Sequence, residues 1–226
     1  MNAKIKSKEE IQGLLNNLGR QLFNIENYYL IYSELGLHYN KQVNEDAAKA
    51  YLKIINSEKG FFIPVQNALR SALTVELNSF IVSEDAESLR SAIRHLKELD
   101  GAPDLTNDYS DLKKKNAKIM THLTDFRNKY YAHKSGKDLS KLTASSDKEY
   151  QELFADIKEL FNKASAYFGQ AHCFIDRDSR EAVNDTHNMM NNLLRGEAQR
   201  VSEIDVEYID GVFEDGRRKW MADEET

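Results

Sequence analysis

Seven apolar residues near the start of the chain, Ile11, Leu15, Leu18, Leu22, Ile25, Tyr29 and Tyr32, are separated alternately by four and three positions. Such steps keep side chains on one face of an α-helix, whereas a half-buried strand needs alternation by two. A long helix with a bundle-type seam is predicted, and Ser7 with Glu10 supplies a capping-box pattern ahead of it. Little interrupts the same periodicity downstream. The 226 residues contain only two prolines, Pro64 and Pro103, and ten glycines, while Leu, Ala, Glu and Lys recur in helical periods. The expected fold class is therefore all-α, an up-and-down bundle of long antiparallel helices.

A second helix is expected over Glu45 to Asn56, capped by Asn44 and ended by "SEKG", where Gly60 suits a left-handed terminus. Phe62, Val65, Leu69, Leu73 and Phe80 predict a third, with Pro64 in its first turn. Ser83 is the expected cap of a shorter helix carrying Leu89, Ile93 and Leu96, and "DGAPDLTND" reads as a loop. From Tyr109 the pattern resumes through Leu112, Ile119, Leu123, Phe126 and Tyr130 as one long helix. Tyr150 to Ala171 predicts the next, and Val183 to Leu194 the last. Periodicity weakens beyond Arg195, so the chain divides into a helical bundle over 1–196 and a charged C-terminal extension over 197–226.

Cys173 is the only cysteine, which excludes an intrachain disulfide framework and a multi-cysteine zinc site and suits a reducing compartment. "MNAKIKSKEE" lacks the apolar stretch of a signal peptide, and no run approaches the ~18 apolar residues of a membrane helix. A cytoplasmic protein without a membrane partner is expected. There is no Gly-rich phosphate loop and no histidine pair at metal-binding helix spacing, so neither a metal nor another cofactor is expected. "HCFIDRD" holds His172, Cys173, Asp176 and Asp178 without a matching ligand cluster elsewhere.

The net charge is −6, yet it is unevenly distributed. Between Asp111 and Lys141, nine basic residues face three acidic ones, a local +6 that leaves −12 for the rest. Such an asymmetry focuses a polyanion toward this segment, although lysines on a solvated helix face give the same pattern. At its centre is "TDFRNKYYAHKSG", residues 124–136. The spacing of Arg and His alone selects nothing, since Arg90 with His95 and Arg180 with His187 fit it too. Only Arg127 has Asn128 beside it, an aromatic pair, an alanine before His133 and a helix end after it.

In that context "DFRNKYYAH" resembles the motif of the HEPN superfamily, Arg followed by a polar residue and then His after four to six residues. "FFIPVQNALRSALTVELNSFI", "ESLRSAIRHLKEL", a variable loop and the motif helix are together similar to the AbiU-like branch, linked to abortive phage infection. The resemblance covers roughly Asn24 to Ala171. It implies a homodimer with a composite site between protomers and metal-independent cleavage of RNA, in phage defence or as a toxin-like growth arrester with a neutralising antitoxin or regulatory protein. In that chemistry the ribose 2′-hydroxyl attacks the adjacent phosphorus and leaves a 2′,3′-cyclic phosphate. A toxin subgroup carries Tyr two residues after the His, but Ser135 stands there, so regulation by nucleotidylation of that Tyr is not supported.

Helical geometry bears on the dimer. Six residues place Arg127 and His133 ~120° apart on a straight helix, too far round to converge easily on one phosphate. A two-fold axis beside the helix end applies the same patch twice and brings two copies of each residue into one cleft. His133 is then the expected acid or base, its ordinary pKa of about 6.5 lying near working pH. Arg127 is expected to grip the phosphate, with Asn128 orienting His133 or bonding a phosphate oxygen. Lys129, Lys134 and Tyr131 are the expected RNA contacts. Glu76, beside the Leu73 and Phe80 stripe, is a candidate brace for Arg127. The alternative is a noncatalytic helical module that binds nucleotide, RNA or a protein partner and keeps the motif as an interface element; residue by residue, His133 also fits a core histidine and Arg127 a salt bridge with Asp125 or a neighbouring helix.

Overall fold

The computed structural model describes residues 7–36, 45–83, 85–131, 146–170 and 174–203. Among these there are eight helices and no strand. They are α1 (Lys8–Leu35), α2 (Glu45–Ser57), α3 (Lys59–Ile81), α4 (Leu89–Leu96), α5 (Thr106–Lys115), α6 (Ala117–Tyr131), α7 (Asp147–Ala166) and α8 (Phe174–Glu203). The all-α expectation holds, and no helix among the described residues is long and apolar enough to cross a membrane. Asn44 and Ala171 lie outside the described residues, but α7 ends at Ala166, with Tyr167 as its C-cap and Gly169 at a φ of 67°, so the helix expected to reach Ala171 stops short of it. The final helix runs through residue 196 to Glu203.

Ser7 caps α1 through the reciprocal bonds anticipated: its hydroxyl accepts from the Glu10 amide at 3.2 Å, and its own amide donates to Glu10 Oε2 at 2.6 Å. The four-and-three stripe of α1 is buried from Ile11 to Tyr29 and packs with residues of α3, α4, α5, α6 and α7 in one core. Each fully buried Leu or Ile there contributes roughly 1.5–3 kcal/mol. Leu35, Tyr51, Ile54, Ile55, Phe62 and Met190 form a second, smaller core between the end of α1, α2, the start of α3 and α8.

Other boundaries also differ from the sequence expectation. Gly60 has no positive φ; α3 begins at Lys59, so this glycine lies inside it rather than ending α2. Pro64 is consequently in the second turn. It cannot donate to the Gly60 carbonyl, a loss tolerated where Pro64 is exposed to solvent. Ser88, not Ser83, caps α4, with its hydroxyl accepting from the Ser91 amide at 3.2 Å. The single long helix expected from Tyr109 onward is two, broken at Asn116. There the buried Asn116 amide donates to the Leu112 carbonyl at 3.0 Å and to Asp156 on α7 at 2.8 Å.

Tyrosines tie the layers together. Tyr109 donates to the Ile81 carbonyl at the end of α3 at 2.6 Å, and Tyr29 donates to Asp147 at the start of α7 at 2.5 Å. The Tyr29 ring stacks on Tyr150, with centroids 5.6 Å apart. Burial raises the phenols of both, that of Tyr150 to about 12. A raised pKa stabilises the fold below the unfolded value of about 10, and that contribution is lost as pH climbs toward the folded value. Urea denaturation should show Tyr150 responsible for a loss of about 2 kcal/mol between pH 9 and pH 11.5. The Tyr150→Phe variant should lose correspondingly less, and an equal loss in both proteins would contradict the assignment.

Candidate functional site

The basic segment is carried by α5 and α6, and the packing of α6 on α3 decides which of its faces is available. Ile119, Met120, Leu123 and Phe126 are buried, a stripe that turns Arg127 and Asn128 outward on the last turns of the helix, where both are exposed. Lys129 and Tyr131 also lie on the last turn of α6. His133 and Lys134 lie outside the described residues, as do His172 and Cys173. Among the described residues no cluster of three or more His, Cys, Asp or Glu side chains is arranged to hold a metal.

Arg127 is held from α3. Its Nη1 donates to Asn78 Oδ1 at 3.1 Å, while Asn78 Nδ2 donates to Thr124 Oγ1 at 3.2 Å and Thr124 donates to the Met120 carbonyl at 2.9 Å. Asn78 is 1% exposed. The partner that the structure gives Arg127 is this neutral amide, so neither the Glu76 brace nor a salt bridge to Asp125 describes it. Glu76 is half-buried, and burial raises its carboxyl above the ordinary range. No carboxylate among the described residues pairs with Arg127, a residue that is itself exposed.

One turn before Arg127, two other groups converge on the Phe126 ring. The Arg70 guanidinium lies over it, 4.6 Å from the centroid, and the His122 ring is 6.2 Å away. Burial, assisted by the Arg70 charge, holds His122 below the usual histidine value. His122 is therefore neutral near pH 7. Neither Arg70 over Phe126 nor Asn78 beneath Arg127 was anticipated as a partner from the sequence. The legible signal for Asn78 was an amide inside the otherwise apolar run Leu73, Leu77, Phe80 and Ile81 of α3.

No protein-family model, curated protein or solved structure matches the chain. The site therefore has to be read from its own chemistry.

The local charge excess is smaller in three dimensions than along the sequence. Lys115 pairs with Asp156 at 2.7 Å and Lys118 with Glu149 at 2.6 Å, both across to α7, while Lys114 pairs with Asp111 at 3.1 Å along α5. Of the five basic side chains of this segment that are described, three thus face carboxylates, two of these carboxylates coming from outside the counted segment. The two other Arg and His pairs that fit the spacing also separate from Arg127. His95 is buried in α4, and His187 bonds Glu34 at 2.5 Å with Tyr51 against its ring.

Two clefts occur elsewhere. One of about 400 Å³ lies between α5 and α7 and is lined by the ion pairs of Lys115 and Lys163. The other, about 480 Å³, lies between α1, α3 and α8 and is lined by Phe23, Ile31, Phe61, Val65 and Met189. Neither is lined by Arg127 or Asn128.

Proposed function

We propose that the protein is a metal-independent endoribonuclease of HEPN type, AbiU-like, acting as a homodimer in phage defence or as a toxin-like growth arrester. The observation that carries this reading is Arg127: an exposed guanidinium with no carboxylate partner among the described residues, anchored by a buried amide, in the sequence "RNKYYAH". An arginine needed only for folding would be expected to neutralise an acid or to cover apolar surface, as Arg70 covers Phe126.

In this mechanism the guanidinium binds the scissile phosphate and stabilises the charge that grows on its oxygens as the 2′-oxygen attacks. His133 takes the proton of the 2′-hydroxyl, or delivers one to the departing 5′-oxygen, and the second protomer supplies the complementary copy across the two-fold axis. The products are a 2′,3′-cyclic phosphate and a 5′-hydroxyl. Lys129, Lys134 and Tyr131 hold the strand, and Asn128 bonds a phosphate oxygen or orients His133. The site lies in a reducing, cytoplasmic setting, and an antitoxin or regulatory protein restrains it.

The test is incubation of the purified protein with total RNA in excess chelator, beside His133→Ala. Cleavage to 2′,3′-cyclic phosphate ends that disappears in the variant supports the reading. Intact RNA at high protein concentration rejects it in favour of a noncatalytic binding module. Light scattering adds an independent check, because a strict monomer removes the composite site.

A further inference from the structure

Asn78 is a polar residue in an apolar layer. It follows Leu73 and Leu77 and precedes Phe80 and Ile81, all buried, and is itself 1% exposed. An amide in such a place destabilises the fold unless its donors and acceptor find partners, and Leu or Met would fill the same space without that requirement. Its partners are both on α6, and they define which way the amide faces.

The orientation follows from the proton inventory. The Thr124 hydroxyl has one proton, donated to the Met120 carbonyl at 2.9 Å, so toward Asn78 it can only accept. The nitrogen of the Asn78 amide must therefore face Thr124, at 3.2 Å. Its oxygen is left facing Arg127 Nη1, at 3.1 Å. A flipped amide would set donor against donor at the guanidinium and acceptor against acceptor at the hydroxyl, losing both bonds at once. Met120, Thr124, Asn78 and Arg127 thus form a directional relay from the α6 backbone, through α3, back to the α6 side chain.

We propose that Asn78 is the positioning residue for Arg127, fixing the plane of its guanidinium from within the same subunit, so that the phosphate grip is formed before RNA or the second protomer arrives. The proposal rests on the ribonuclease reading for the role of Arg127, but not for the hold itself. An arginine fork has five N–H donors, and the bond to Asn78 uses one. The others stay with a rigid plane rather than a freely rotating chain. Lysine would lose this restraint, because its single ammonium has no second edge to present once it bonds Asn78.

The deciding experiment is a double-mutant cycle of Asn78→Leu and Arg127→Ala on kcat/KM for RNA cleavage. Asn78→Leu is expected to lower the rate about tenfold with Arg127 present and less than twofold with Arg127 absent. An equal loss from Asn78→Leu in both backgrounds would mean that the amide merely ties two helices, and overturns the proposal.

A readout free of catalysis runs beside it, the NMR order parameter of the Arg127 side-chain Nε–H. The ordered value of the wild type should fall in Asn78→Leu and in Thr124→Val, the latter serving where the former does not fold. Unchanged order in a folded variant refutes the hold. Wild-type cleavage by Arg127→Ala would remove the ribonuclease role of the arginine and leave the hold to this signal alone.

Discussion

Replacing Arg127 by alanine is expected to lower RNA cleavage by about 10²–10³-fold, the loss typical of removing one preorganised donor from a developing oxyanion. On the proposed mechanism the guanidinium contacts the phosphate most strongly in the transition state. If so, kcat falls with kcat/KM while KM stays nearly constant. A residue that only attracts the polyanion behaves differently: KM rises, kcat holds, and added salt reproduces the defect in the wild type. Arg127→Lys keeps the charge and loses the fork, so it should resemble alanine in kcat more than wild type. His133→Ala should cost roughly 10²–10⁴-fold and remove the pH dependence attributable to a group titrating near 6.5. His122, held neutral by burial and Arg70, is a useful control, because His122→Gln should leave the neutral-pH rate nearly unchanged. If Arg127→Ala cleaves at the wild-type rate, the arginine has no catalytic role.

The helices were legible because their apolar spacing reflects local geometry. The stripe of Ile11, Leu15, Leu18, Leu22 and Ile25 is buried as a unit, since no other secondary structure puts those positions together. Boundaries were less legible where a distant partner decides them. Asn116 breaks the predicted long helix at a point where Asp156, forty residues on, takes one of its amide protons. Ser83 and Ser88 are both plausible caps by residue type, and only Ser88 has the first turn of α4 beside it. Pro64 looked like a start signal because an interior proline is costly, but water on that exposed side of α3 can donate to the orphaned Gly60 carbonyl. The site divides the same way. Arg127 and Asn128 were singled out by their sequence context and the resemblance, whereas Asn78 lies forty-nine residues earlier and meets Arg127 only because α3 lies against α6. Part of the charge excess along the sequence is offset in the fold for the same reason, since Asp156 and Glu149 come from α7.

The largest expected loss of stability from a single substitution outside the apolar core comes from the pair formed by Glu26 on α1 and Lys158 on α7. Glu26 is 7% exposed, placed among Leu22, Ile25 and Tyr29, and the ammonium of Lys158 is its ion-pair partner. Its second oxygen, Oε2, is buried with no hydrogen-bond partner among the described residues. Lys158→Met preserves the aliphatic stem and removes the charge, leaving a buried carboxylate with neither water nor a cation. A loss of about 3 kcal/mol is expected, at the low end for a broken buried pair because the lysine side chain is 23% exposed. Removing both charges should be far milder. In Glu26→Met with Lys158→Met, the desolvation cost disappears along with the attraction, and the double variant should recover at least half of the single variant's loss. Chemical denaturation of the three proteins at neutral pH measures the difference. Equal destabilisation in the single and double variants would show that the stranded carboxylate does not set the energy.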